Sequence, residues 1–231
     1  TEDLAAITTD QITGLKTAQI AALTTALVVA LTTAQVATLT TAQLAAFTTA
    51  QVAKMETMDL ASITTDQITS LTTAQMAALT TDQVVALTTD QVGTLTTKQL
   101  ASLTTAQLAK METDDIAVLT TAQLSGLTTG QMTSLTTAQI VALTTDQVAG
   151  LSTLQWASLN SVQIANMQTR DLAAITTAQI TALTTAQMAK LTSDQVVALT
   201  TDQITAMKSA QFAALTTANL ASITTAQITS L

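Results

Sequence analysis

Large apolar residues return along this chain with a strict spacing of five, three, five and three residues. The stretch Leu71-Thr72-Thr73-Ala74-Gln75-Met76-Ala77-Ala78 shows the unit, whose positions are lettered a to h, so that a is Leu71, e is Gln75 and f is Met76. Twenty-eight such octads follow one another from Ile7 to Ser230 without insertion or deletion, and Leu231 opens another. A fixed period of this kind marks a repeat architecture. Position a is always large and apolar. Position f is always Ile, Val, Leu, Met, Phe212 or Trp156. Position c always carries a hydroxyl, and e is Gln except at Leu27, Asp59, Asp115, Asp171 and Asn219.

One unbroken α-helix does not suit this period. Eight residues turn a helix through about 800°, so the a/f stripe would circle the surface within a few octads. The supercoils open to helices lie near 3.5 to 3.67 residues per turn, and an octad needs about 4.0. On a strand, a and f point to opposite faces, and Gln and Ala are mediocre strand formers. A β-solenoid is therefore the second choice. The favoured fold is all-α, a thin solenoid with one very short helix per octad.

Thr-Thr-x-Gln ahead of an aliphatic residue is a helix-start signal, with a Thr as N-cap and Gln able to reach back to the exposed amides. A cap at b puts Gln at N3 and completes a capping box; a cap at c puts it at N2. Because b tolerates Lys16, Glu56, Glu112, Asn160, Gln168 and Lys208 while c never loses its hydroxyl, the sequence favours c, with each helix running from about d to h or the next a. Asp at d, as at Asp66 and Asp82, then lies in the first turn, where the helix dipole favours negative charge. The f residue and the following a share one face and make a two-residue apolar knob. No Gly recurs at the helix ends, so ordinary residues must make the a–b turn. A single octad is too short to hold its helix alone, and stability has to come from stacking.

A longer period lies over the octad. Lys54-Met55-Glu56-Thr57-Met58-Asp59-Leu60 returns 56 residues on as Lys110-Met111-Glu112-Thr113-Asp114-Asp115-Ile116, and again as Asn166-Met167-Gln168-Thr169-Arg170-Asp171-Leu172. Thr1-Glu2-Asp3-Leu4 fits one step earlier. Block duplication is the simpler origin, since Asn219 follows Asp171 by only 48 residues. A spiral with a non-integral number of octads per turn is the other. In these octads b and e change together, which points to a shared environment.

Composition narrows function mainly by exclusion. The apolar content of 48% calls for a packed body, and residues 1–231 read as one continuous array. A net charge of −8 with no basic face argues against nucleic acid. The longest apolar run, Ala26 to Leu31, is far short of the roughly 20 residues a membrane span requires. With no His and no Cys, the usual nucleophile–base pairs and thiolate metal sites are absent. The five glycines are scattered and form no phosphate loop. Every Met except Met58 sits at a or f, which reads as core and not as haem ligation. Glu56/Asp59 and Glu112/Asp114/Asp115 are read as solvent-facing helix-start carboxylates in preference to weak Ca²⁺ ligands. Trp156 and Phe47 obey the core pattern, and Lys54, Lys110 and Lys190 at h read as solvated. Adjacent Thr-Thr does not present a flat Thr-x-Thr ice-binding plane. The sequence thus assigns no catalytic, cofactor or metal residue and implies a protein that is not an enzyme.

The Leu-Thr-Thr-Ala-Gln-Val-Ala-Ala octad resembles the Ala-Leu-Thr-Thr-x-Gln-Val arrays of very large secreted proteobacterial proteins labelled as haem-utilisation or adhesion proteins. The likeness covers the whole chain and implies an extracellular or cell-surface filament or adhesin. The haem part of that label finds no ligand here. Locally, Leu79-Thr80-Thr81-Asp82-Gln83-Val84-Val85-Ala86 is similar to the opening helix of TAL-effector repeats; the acidic charge and the missing base-reading loop leave DNA binding behind. The expected function is a structural repeat rod that self-associates along or between filaments and is part of a longer array. The alternative is a binding module that presents a Thr/Gln ridge to glycan, ice or mineral.

Overall fold

A computed structural model describes residues 6–231. Among them are twenty-eight helices of four to six residues, one per octad, and no strand. The fold is all-α, and the β-solenoid alternative falls away. The Thr1-Glu2-Asp3-Leu4 step of the long period lies outside the described residues. Contacts divide the chain into two units, Thr1–Val118 and Leu119–Leu231, and the same local arrangement recurs within each.

The helix Thr73–Ala78 shows how an octad folds. Thr72 at b has extended torsions (φ −70°, ψ 158°), and its Oγ1 accepts from the Gln75 amide. The Gln75 Oε1 in return accepts from the Thr72 amide at 2.6 Å. The cap is therefore b, not the c position the sequence favoured, and the helix starts one residue earlier than expected. The misreading has a clear cause. Half of the box is carried by the e side chain and the b backbone, so b can change freely. Lys16 and Lys208 have no capping side chain, yet their amides donate to Gln19 Oε1 at 2.8 Å and Gln211 Oε1 at 2.9 Å.

The helix ends without a left-handed residue; no residue among those described has positive φ. Instead Leu79 at a is extended (φ −56°, ψ 142°), and the next cap, Thr80, is extended too. Two extended residues turn the chain between helices, as the lack of Gly demanded. The Leu79 amide closes the last turn on the Met76 carbonyl at 3.3 Å.

Both knob positions are buried as expected: Met76 is 0% and Leu79 4% exposed. Burying a side chain of this size stabilises by roughly 1.5–3 kcal/mol. Phe47 and Trp156 sit in this core with the rest. The longest-range order comes from how helices stack. Each packs on the helix three octads away, as Thr33–Thr38 does on Thr57–Ser62 and Thr145–Ala149 on Thr169–Ala174. Its Gln, however, reaches the C-terminal end of the helix four octads back. Gln75 bonds to Leu44, in Thr41–Ala46, and to Phe47, which follows it. A helix thus bridges the junction between two helices of the layer below, and one layer takes about three and a half octads. The bonds of Gln75 to Phe47 and of Gln187 to Leu159 each span 28 residues.

Fifty-six residues are then two layers, which gives the long period a geometric meaning that duplication alone does not. Within the first unit, Asp59 and Asp115 take the same position two layers apart, as do Val29 and Val85. Among the described residues no helix is long and apolar enough to cross a membrane.

Candidate functional site

The feature that organises the chemistry is the row of e side chains. Sequence reasoning treated this Gln as a helix-start residue and gave more weight to the Thr at c; the structure reverses that order. Gln75 is 2% exposed and bonded at both ends of its amide. Its Oε1 holds the Thr72 amide, while Nε2 donates to Leu44 O at 2.9 Å and Phe47 O at 2.8 Å. In the second unit Gln163 repeats the pattern, with Oε1 on the Asn160 amide at 2.8 Å and Nε2 on Met132 O at 2.9 Å and Leu135 O at 2.8 Å. Gln75 and Gln163 therefore each cap the start of their own helix and the end of a helix one layer back. Helix ends leave carbonyls without partners, and a buried one needs a donor. A primary amide is a neutral side chain that accepts through one terminal atom and donates through the other. Met would fill the space and do neither.

The substituted octads show the same site with other chemistry. Asn219 donates from Nδ2 to Leu191 O at 2.8 Å and accepts from Ser193 Oγ at 3.4 Å. Asp59 accepts from Thr33 Oγ1 at 2.8 Å, and Asp171 from Thr145 Oγ1 at 2.7 Å. The hydroxyl at c therefore serves the e side chain of the next layer where that side chain is short. Opposite an ordinary Gln, the described residues give the c hydroxyl no such partner. In the Asp171 octad, Gln168 at b sends its Nε2 to Val141 O at 2.7 Å. Lys208, also at b, reaches Thr181 O at 2.9 Å. In the Lys208 octad b and e thus share one target, the helix end below, which Gln211 Nε2 reaches at Ile180 O and Leu183 O. In the Asp171 octad Gln168 at b reaches that end while Asp171 takes the Thr145 hydroxyl.

The carboxylates read as solvent-facing separate into two kinds. Glu56, Glu112 and Asp114 are exposed, whereas Asp59 and Asp115 are 2% and 1% exposed. Burial raises the carboxyl pKa of Asp59 above its ordinary value; the Thr33 hydroxyl opposes this and the Glu56 charge adds to it. Burial likewise raises Asp115. Bonds from Thr89 and the Glu112 backbone lower it, and the charges of Glu112 and Asp114 raise it further. Among the described residues no three such groups gather as a metal cage. Asp171, 0% exposed, has Arg170 Nε 3.6 Å from its Oδ1, the one ion pair among the described residues. Lys54, Lys110 and Lys190 are exposed.

Positions b, c and d face the surface, together with much of g and h. Thr72, Thr73 and Ala74 are all exposed, with Gln75 underneath. The ridge imagined as Thr/Gln is a threonine surface, because Gln is consumed inside; Gln11 and Gln19, exposed in the first octads, are exceptions. In the second unit, a cleft of about 360 Å³ is lined by Ile204, Met207, Ser209, Phe212, Ala213 and Leu231.

No curated protein matches the chain. The family model described as the ALTTAQ repeat matches six times, over residues 1–33, 28–57, 52–89, 108–145, 129–161 and 164–201. Those matches take in most of the sequence, and their name spells the stretch from h to the next e, whose b and e residues form the capping box. The chain belongs to the ALTTAQ repeat family.

Proposed function

We propose that this chain is a structural repeat segment of an extracellular filament or surface adhesin, that it self-associates, and that it performs no catalysis. The observation that carries this reading is the glutamine row. The side chains with the richest hydrogen-bonding capacity are spent on joining one layer to the next, as Gln75 and Gln163 are. An array of this kind gains cooperativity with each repeat added. Membership in a repeat family supports the structural part, and the resemblance of the octad to secreted adhesin arrays supports the location. For self-association, the apolar cleft at Ile204, Met207 and Phe212 offers a surface that an apolar group of another copy could fill.

Electron microscopy of native material tests the proposal: fibres or long particles containing this segment are expected. A protein that stays monomeric and binds a defined soluble substrate would overturn it. A second reading draws on the exposed hydroxyls at Thr72 and Thr73 and their equivalents, a surface that could hold a glycan, ice or mineral. Monodisperse protein retained by one glycan and lost from it on Thr→Ala replacement at c would favour that reading instead.

A further inference from the structure

The buried Asp residues at e pose a problem that Gln does not. Asn219 shows how a short side chain fits there. Its oxygen accepts from the hydroxyl 26 residues back, Ser193, and its nitrogen donates to the a carbonyl 28 residues back, Leu191. Asp59 repeats the first half, taking the Thr33 hydroxyl 26 residues back on Oδ1. By analogy its Oδ2 corresponds to the Asn219 nitrogen, whose acceptor is the a carbonyl 28 residues back; for Asp59 the matching residue is Leu31. That Oδ2 is buried and has no partner, and the same holds for Asp115 Oδ2. An ionised carboxylate only accepts, whereas a protonated one donates once. Two acceptor oxygens brought together out of water repel each other, and a proton on one of them turns the contact into a hydrogen bond.

We propose that Asp59 and Asp115 are held in the folded array as neutral carboxylic acids, each donating from Oδ2–H to the a carbonyl one layer back, Leu31 and Leu87, so that these rungs loosen as the acids ionise. The proton comes from solvent and returns to it. The surroundings agree. Burial and the Glu56 charge raise the Asp59 pKa against the Thr33 bond, and burial with Glu112 and Asp114 raises Asp115 against Thr89 and the Glu112 backbone. The helices packed on Asp59 are Thr33–Thr38, which has no charged residue, and Thr81–Val85, whose Asp82 is exposed. Those packed on Asp115 include Thr89–Thr94, whose Asp90 is exposed. All these charges are negative and favour the neutral acid. Asp171 is outside the proposal because Arg170 stands beside it.

The sign follows from linkage. A folded pKa above the unfolded value means that the folded state binds more protons, so stability is greatest below the unfolded pKa and declines as pH rises through the folded one. Replacing both residues, Asp59→Asn and Asp115→Asn, installs the permanent donor already present at Asn219. Urea midpoints of the full chain and this double variant, measured from pH 3 to pH 8, should nearly coincide at the acid end, with the variant the more stable at neutral pH. In parallel, ¹³C-carboxyl NMR of the unaltered chain should give Asp59 and Asp115 midpoints above the ordinary aspartate value of 3.8. Midpoints at or below 3.8, or a variant no more stable at neutral pH than at acid pH relative to the parent, would overturn the proposal. The NMR readout needs no variant and stands if the variant fails to fold.

Discussion

Replacing Gln75 by Met tests the glutamine row most directly, because Met keeps the side-chain length and removes both polar ends. Two groups lose their hydrogen-bond partners: the Thr72 amide, held at 2.6 Å, and the Phe47 carbonyl, held at 2.8 Å. The Leu44 carbonyl loses less, since it keeps the Phe47 amide at 3.3 Å. A buried group left without a partner costs about 1–3 kcal/mol. The Phe47 carbonyl belongs toward the upper end and the part-buried Thr72 amide toward the lower, which gives a total of about 3 kcal/mol. Gln11→Met supplies the comparison. Gln11 is exposed and bonds within its own octad to Thr8, so its loss should cost about 1 kcal/mol. The cost at a single rung is read most directly where that rung opens. Native-state hydrogen exchange at the Met76 amide, which donates to Thr72 O at 2.9 Å, reads the local opening. Its protection should fall by about a hundredfold in Gln75→Met, as 1.4 kcal/mol is a factor of ten. Equal losses at the two sites would refute the idea that the bond to the layer below stabilises the fold.

Three further outcomes follow from the same geometry. Thr72→Ala removes a capping hydroxyl and should cost about 1 kcal/mol by urea denaturation, whereas Thr73→Ala should stay within about 0.5 kcal/mol; the reverse order would move the cap back to c. Leu100→Ala, at an f position with 0% exposure, should cost about 2–5 kcal/mol by the same assay. Trp156 is fully buried, and its indole nitrogen has no partner, so the single Trp of the chain should show blue-shifted emission resistant to acrylamide. A red, readily quenched signal would place it outside the core.

The octad pattern made much of this legible. Leu79 and Met76 announced their burial by spacing, and the absence of Gly announced a turn made from ordinary residues, which Leu79 and Thr80 supply. What the pattern hid was the second end of Gln75. Its acceptor end serves a residue three positions away and is visible as a capping box. Its donor end serves Phe47, 28 residues off, and no local rule connects those positions. Constancy at c also misled, because a residue can vary at b when the partner side chain does the capping. The burial of Asp59 was concealed for the same reason. An Asp near a helix start ordinarily faces water, and only the stacking shows that e does not.

The rung from e to the a and f carbonyls has a consequence for how such genes can change. It joins positions, not particular octads, so gaining or losing one whole octad leaves every rung with an acceptor of the right kind. Copy number can drift in steps of eight residues without a structural penalty at the junction, while a four-residue change would set the e residues of the next layer, whose rungs span it, against the wrong backbone. What such drift does erase is lateral alignment across two layers. The 48-residue step from Asp171 to Asn219, in place of 56, has the form of that event: one octad fewer, and the same hydrogen bond to the layer below.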